Sequence, residues 1–368
     1  MNAFTESNRE SKRRTSRPRK GRGAGSNPDC RYQSTRTESV DDGWGSADLE
    51  PAPLTTTVAV DASRSIITRN QSPDVPFEQS INAYRGCEHG CIYCFARPTH
   101  AYLGLSPGLD FETRLLVKPE AAALLRKELA KPGYRCRPIA MGTNTDPYQP
   151  IERDWGVTRS ILEVMAECRH PVSLVTKSSL IERDLDVLTD LARQHLVEVA
   201  VSVTTLDREL ARRMEPRAAA PQRRLETVRR LSEAGVPTAV LVAPIIPVLN
   251  DPEMEAILAA SAEAGASSAG YVLLRLPMEV RGLFERWLHD HYPLKAEHVM
   301  SAVRATRGGR DYDARFGSRM KGEGTYAQLL AQRFRLACGR FGLNRAHAEL
   351  DLSVFQPPRE ADGQLDLF

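Results

Sequence analysis

The stretch Asn82-Ala83-Tyr84-Arg85-Gly86-Cys87-Glu88-His89-Gly90-Cys91-Ile92-Tyr93-Cys94 places three thiols within eight residues, at a C-x3-C-x2-C spacing. A loop of that length can wrap three thiolates around the corners of a small inorganic cluster. No fourth cysteine lies nearby, so one metal position is left open. An open position is where a small molecule can bind and react.

Outward from this loop, strand-like and helix-like stretches alternate. Strands are expected at 80–85, 138–142, 172–176, 197–204, 238–246 and 269–276, with two short β segments, 55–60 and 65–68, ahead of them. Amphipathic helices are expected at 119–130, 158–167, 184–194, 222–234 and 253–263; Pro119 opens the first, and Gly235-Val236-Pro237 closes the fourth. Alternation of this kind indicates a parallel sheet covered by helices. The strands are mostly apolar runs, as expected where both faces are buried. Six units fit either an open doubly wound sheet or a partial β/α barrel, and in both the function gathers after the C-terminal ends of the strands.

The polar residues sit where that rule puts them. After the first strand comes the cysteine loop, and after the second Gly142-Thr143-Asn144-Thr145-Asp146-Pro147-Tyr148-Gln149-Pro150. The third ends in Thr176-Lys177-Ser178-Ser179, and the fourth carries Ser202-Val203-Thr204-Thr205. Thr143 and Asn144 can serve a ligand or satisfy turn backbone, and Lys177 can meet an anion or solvent. Asp146 can cap the following turn and Tyr148 fill core. Ser202, between Val201 and Val203, would have to bury its hydroxyl with a partner. Together the rim offers partners for a small zwitterionic ligand that carries a ribose.

Composition bounds the rest. The chain has 368 residues, 41% hydrophobic and 26% charged, with a net charge of +3, the values of a globular protein with one large domain and appendages. No apolar run approaches the ~18 residues of a membrane span, and the N-terminus lacks the apolar core of a secretory signal. A cytoplasmic location is expected, where a tight cysteine cluster reads as a metal site. Cys30, Cys136, Cys168 and Cys338 read as ordinary scattered thiols.

Arg9, Lys12, Arg13, Arg14, Arg17, Arg19, Lys20 and Arg22 make a basic tail, rich in Ser, Gly and Pro, that is expected to be disordered. The tail, and the cluster Arg212, Arg213, Arg217, Arg223, Arg224, Arg229 and Arg230, can contact nucleic-acid phosphates or be solvated surface. After Leu276 the pattern loosens. Trp287, His289 and His291 lie near a helix, 307–324 reads as a loop and 326–339 as a helix. This extension is expected to close the bottom or side of the fold and help shape a pocket.

The cysteine spacing, with aromatic Tyr93 before the last cysteine, resembles the signature of the radical S-adenosylmethionine (SAM) superfamily. The runs Arg85-Gly86-Cys87 to Phe95-Ala96-Arg97, 142–150, Thr176-Lys177-Ser178 and Val242-Ala243-Pro244-Ile245-Ile246-Pro247 resemble its spore photoproduct lyase branch, also called DNA repair photolyase-like. The resemblance covers residues 80–277. It implies an α/β fold, a partial (β/α)6 TIM-like barrel; composition and pattern outside it set the expected domains as a disordered basic tail at 1–54, the core domain at 55–290 and a helical C-terminal extension at 291–368.

By the same resemblance, Cys87, Cys91 and Cys94 hold three irons of a [4Fe–4S] cluster and SAM chelates the fourth. A one-electron reductant of flavodoxin or ferredoxin type then drives cleavage of SAM to methionine and a 5′-deoxyadenosyl radical, which abstracts hydrogen from the substrate. Tyr93 would pack by the adenine, Thr143 or Asn144 would meet the ribose or amino group, Lys177 would pair with the SAM carboxylate, and Ser202 would bond the ribose. His89, beside Gly90, is expected to face solvent. One departure stands out. Spore photoproduct lyase carries a hydrogen-returning cysteine at the end of the second strand, where this chain reads Ala140-Met141-Gly142-Thr143, and Cys136 lies at the strand's other end. Thymine-dimer repair by that route is therefore not expected, and the substrate is left open, nucleic acid being one option. The competing reading is a non-enzymatic nucleic-acid-binding protein stabilised by zinc on the three cysteines and His89.

Overall fold

The Val- and Leu-rich runs in the middle of the chain become neighbouring strands, each punctuated by a helix that crosses back over the sheet. A computed structural model describes residues 19–32, 54–345 and 349–358. Its strands are β1 Thr57–Val60, β2 Ile67–Arg69, β3 Gln79–Ile81, β4 Tyr84–Arg85, β5 Arg114–Val117, β6 Ile139–Met141, β7 Val172–Thr176, β8 Val197–Ser202, β9 Thr238–Ile245 and β10 Ser268–Leu273. Seven form one sheet in the order β10-β9-β8-β7-β6-β3-β2. All neighbours are parallel except β2 with β3.

Strand order decides between the two architectures left open by the sequence. A doubly wound sheet reverses direction at a switch point. Here β3, β6, β7, β8, β9 and β10 lie side by side in chain order, so every crossover steps the same way. The result is the partial (β/α)6 barrel. It is open, because β10 and β2 are not partners.

The strand expected over 80–85 is split. β3 stays in the main sheet, while β4 leaves it to pair antiparallel with β5, whose other neighbour is β1. At the break, Asn82 turns its side chain to the loop after β6 instead of continuing a ladder, with Asn144 N and Thr145 N donating to Asn82 Oδ1 (3.0 and 3.3 Å). β5 was not legible as a strand in the sequence.

One face of the sheet is dry. Val172, Leu174, Val199, Val201, Val240 and Val242 share a core with helix residues such as Leu162, Leu188, Leu231 and Leu258. The alternate positions Ser173, Val175, Glu198, Ala200, Ala239 and Leu241 are only half-buried. The sequence suggested both faces covered; in an open barrel the inner face lines a hollow and is only half-buried.

The C-terminal extension spans the open side. Helix Gly324–Phe341 packs on helix Met254–Glu263, with Arg333 paired to Glu255 (2.7 Å) and the Tyr271 and Phe334 rings 4.7 Å apart. The loop before it reaches the β2–β3 connection: Gly317 N donates to Asp74 Oδ1 (2.6 Å), and Arg319 pairs with Asp74. Buried Arg307 holds this loop to the end of β10 by donating to the carbonyls of Ser318 (2.8 Å), Leu274 (2.8 Å) and Leu273 (3.4 Å). Among the described residues no helix is long and apolar enough to cross a membrane.

Residues 19–32, assigned by composition to the disordered tail, are packed on the domain, with Arg22, Ala24 and Cys30 buried. The rest of the basic tail lies outside the described residues. Arg307→Ala would remove three hydrogen bonds, two to carbonyls at the end of β10 and one to Ser318 in the loop. It is expected to cost about 2–4 kcal/mol of stability, read as a lower urea midpoint at an unchanged slope. A change within about 0.5 kcal/mol would show that Arg307 does not hold the loop.

Candidate active site

The cysteine loop is held from beneath by one buried guanidinium. Arg97 Nε donates to Cys91 O (2.9 Å), Nη1 to Pro107 O and Gly108 O (3.1 and 2.9 Å), and Nη2 to Gly90 O (3.1 Å). Its charge is met by Glu112 at 2.5 Å, with both side chains fully buried. Glu112 also accepts from Gly23 N (3.0 Å) and Ala24 N (2.8 Å), which seats the N-terminal segment on the loop. The approach is close enough to require glycines on both sides. A Cβ on Gly23 would stand 1.8 Å from Gly90 O, and Gly90 itself adopts φ +67° with Glu112 against it.

From above, buried Gln149 clamps the loop's backbone, accepting from Glu88 N (2.9 Å) and donating to Gly86 O (3.2 Å). Asp146 ties the loop to the next strands. It accepts from Thr176 Oγ1 (2.7 Å), Lys177 N (2.8 Å) and Tyr148 N (2.9 Å), and His89 Nδ1 lies 3.3 Å away. Burial works to raise this carboxyl, but His89 and the surrounding donors outweigh it and hold it down at about 2. His89 does not face solvent as the sequence suggested. It is 2% exposed, drawn in by Asp146.

Cys87 is buried and Cys91 and Cys94 half-buried, none of them in a disulfide. Burial pushes the Cys87 thiol well above its ordinary range, Asp146 and the neighbouring thiols adding to this, and pushes Cys91 up to about 12, with Glu215 adding. Three thiolates crowded in such a place need a cationic centre to bind. Among the described residues no three His, Cys, Asp or Glu side chains converge closely enough to hold a single metal ion. A lone zinc would draw its sulfurs to about 3.8 Å apart. With His89 turned to Asp146, the three thiolates fit an iron–sulfur cluster better than the zinc site considered from sequence.

The remaining rim residues come together on one side of the loop. The Tyr93 hydroxyl donates to Glu215, which also takes Thr204 Oγ1 (2.7 Å) and pairs with buried Arg224. Burial opposes ionisation of Glu215, and Arg224, then Lys177, outweigh it and lower its pKa. With its hydroxyl engaged, Tyr93 offers only its ring, and Lys177 Nζ lies 6.0 Å from the ring centroid. Among the described residues Lys177 Nζ has no hydrogen bond or ion pair, nor does the hydroxyl of buried Ser202. Thr143 Oγ1 is shared with Asn82 Nδ2 (3.3 Å), and Asn144 is exposed at the rim.

Sequence reasoning missed Asn82, Glu112, Glu215 and the seating of Arg22–Ala24, gave no role to Arg97, and gave Arg224 only a place in the arginine cluster. It also left Arg212–Arg230 as a possible phosphate groove. Six of those seven arginines have carboxylate partners: Arg213 with Glu209, Arg217 with Glu88, Arg223 and Arg230 with Glu182, Arg224 with Glu215 and Arg229 with Glu226. Cys136 stands before β6 rather than at its rim end, so no thiol stands in the turn directly after that strand.

An open β/α barrel with a three-thiol loop on its C-terminal rim defines a class of iron–sulfur enzymes. Residues 81–260 match the model of the Radical SAM superfamily, so the chain carries a radical SAM domain there. Members of that superfamily use a [4Fe–4S] cluster and SAM. Uncharacterized proteins of Mycobacterium tuberculosis and Mycobacterium bovis are 42% identical over 221 residues, 60% of this chain and 65% of theirs. The match therefore spans just under two thirds of those relatives' length. An uncharacterized protein of Methanocaldococcus jannaschii is 28% identical over 219 residues, 60% of this chain and 78% of that one. Among solved structures, spore photoproduct lyase complexed with dinucleoside spore photoproduct superposes with a TM-score of 0.56 at 18% identity, over 78% of this chain and 80% of that one. That likeness is one of fold.

The carboxyl of Asp146 sits below its unfolded value of about 3.9, so its contribution is fully present above about pH 4 and is lost as pH falls toward 2. Asp146→Asn is expected to lower stability by about 2 kcal/mol at neutral pH. The gap to the parent should narrow below about pH 4 in urea titrations, and a constant gap down to about pH 2.5 would contradict this linkage.

Proposed function

We propose that the chain is a radical SAM enzyme that abstracts hydrogen from its substrate at the barrel mouth, with Cys87, Cys91 and Cys94 as the cluster ligands. The observation that carries this reading is the three-thiol loop itself, clamped by Arg97, Glu112 and Gln149, with no fourth cysteine beside it among the described residues. When bound and given one electron by a flavodoxin- or ferredoxin-type donor, a [4Fe–4S] cluster and SAM supply reductive cleavage to methionine and a hydrogen-abstracting 5′-deoxyadenosyl radical. A reducing cytoplasm suits the loading of such thiols.

The chain's own residues bind and orient. The unpaired Lys177 ammonium suits the SAM carboxylate, and the unpartnered Ser202 hydroxyl suits a ribose hydroxyl. The Tyr93 ring, fixed through Glu215, gives the adenine an apolar wall. Exposed Asn144 reaches the ligand more readily than Thr143, which is shared with Asn82. The half-buried hollow of the open barrel gives a substrate room beside these groups.

Two observations weigh against transfer of the spore photoproduct lyase reaction. No thiol stands in the turn directly after β6, and six of the seven clustered arginines are ion-paired. DNA as the substrate is therefore not part of this reading.

Anaerobic reconstitution is expected to load about four irons per chain, and the reduced protein to convert SAM to 5′-deoxyadenosine. Alanine at any one of the three cysteines should abolish both. A protein that takes up zinc but no iron, or an iron-loaded one that leaves SAM intact, would refute the proposal.

A further inference from the structure

Neither the cluster loop nor the residues around Tyr93 employ the two guanidiniums at the end of β10. Arg307 spends its Nη donors on backbone carbonyls and leaves its buried Nε without a partner. Arg275 does not have even that. Its Nη1 lies 3.5 Å from Met320 Sδ and its Nη2 3.5 Å from Tyr312 Oη, a weak acceptor and a long contact, and its buried Nε has no partner. Among the described residues it has no ion pair. Asp74, the carboxylate on which its charge acts, is already held by Gly317 N and Arg319. Arg275 and Arg307 also act on each other as like charges. A half-buried guanidinium in this state has lost water and gained no anion.

Its position gives that deficit a use. The guanidinium carbon of Arg275 lies 4.8 Å from the centroid of the Phe95 ring. Phe95 directly follows Cys94 and is 43% exposed. The stack joins the loop beyond β3–β4 to the end of β10, across the unclosed side of the barrel. A planar fork of donors, its face supported by an aromatic ring, matches an oxyanion in bidentate fashion.

We propose that Arg275, stacked on Phe95, is an oxyanion anchor, and that the substrate of the radical reaction carries a phosphate or carboxylate group. The proposal rests on the reading of the barrel mouth as the reaction site. Phe95, Tyr312 and Met320 form the walls around the anion, and the anion's tether to the cluster loop sets how far the reacting C–H bond lies from the radical source.

The test uses the full chain and inorganic phosphate as the probe, with acetate as a second arm, titrated calorimetrically at ionic strength held constant with chloride. Saturable binding to the parent is expected, with affinity lower by about tenfold or more in Arg275→Gln and unchanged in Arg315→Gln, an exposed arginine paired with Asp313. Phe95→Leu, which removes only the stacking face, should weaken binding by a smaller factor and guards against a folding defect in the first variant. Tighter binding of phosphate assigns a phosphorylated substrate, and tighter binding of acetate a carboxylic acid. Equal binding by Arg275→Gln and the parent, or no saturable binding of either anion, would overturn the anchor. Because no SAM is present, this outcome is separate from that of the SAM-cleavage assay: a chain that binds anions at Arg275 but leaves SAM intact would refute the radical reaction alone.

Discussion

The buried pair of Arg97 and Glu112 is the contact on which the rim depends. Taking both charges from water costs several kcal/mol per ion, and an apolar pair of the same volume could serve stability as well. What the ions supply is shape. Arg97 reaches four carbonyls, two of them inside the cysteine loop, and Glu112 receives the backbone of the N-terminal segment. Ile92 and Tyr93 pack into an apolar cluster, but the carbonyls of Gly90 and Cys91 need donors. Backbone hydrogen bonds from a fixed, charged hub hold the middle of the loop in place.

The same solution recurs on the other side of the loop. Asp146 gathers donors from the cysteine loop, its own turn and the end of β7. Glu215 gathers Tyr93, Thr204 and Arg224. Three buried carboxylates thus register the cysteine loop against the strands that carry Lys177 and Ser202. Among the described residues neither side chain has a hydrogen bond or ion pair, Lys177 lying over the Tyr93 ring, while their backbones are fixed. Groups held in place but unsatisfied are what a ligand-binding rim requires.

Much of the frame was legible in the sequence, because it depends on local periodicity. The run 172–176 became β7 without change of boundary, and 197–204, 238–246 and 269–276 became β8, β9 and β10 with ends trimmed by one to three residues. Sequential strand order was not legible, since two sheet topologies share the same alternation. β4 and β5 were hidden for another reason: each is short, and their pairing depends on Asn82 turning away from the main sheet. In the site, the strand-end rule located the polar residues but not their partners. Glu112 meets Gly23 from 89 positions away, and no spacing rule links them. His89 looked solvent-facing beside a glycine, and only the arrival of Asp146 from the next crossover draws it inside. The basic composition of residues 19–32 likewise concealed a close glycine contact with the cysteine loop.

All of this reduces to one claim, that the loop offers three thiolates and leaves the fourth metal position to an exchangeable ligand. Electron paramagnetic resonance of the reconstituted, reduced protein tests it most directly, with and without SAM labelled with nitrogen-15 or carbon-13 in its amino and carboxylate groups. The account predicts a reduced [4Fe–4S] signal that shifts on addition of SAM and shows hyperfine coupling to the label. A signal indifferent to SAM, or a cluster already closed by a fourth protein ligand, would contradict it.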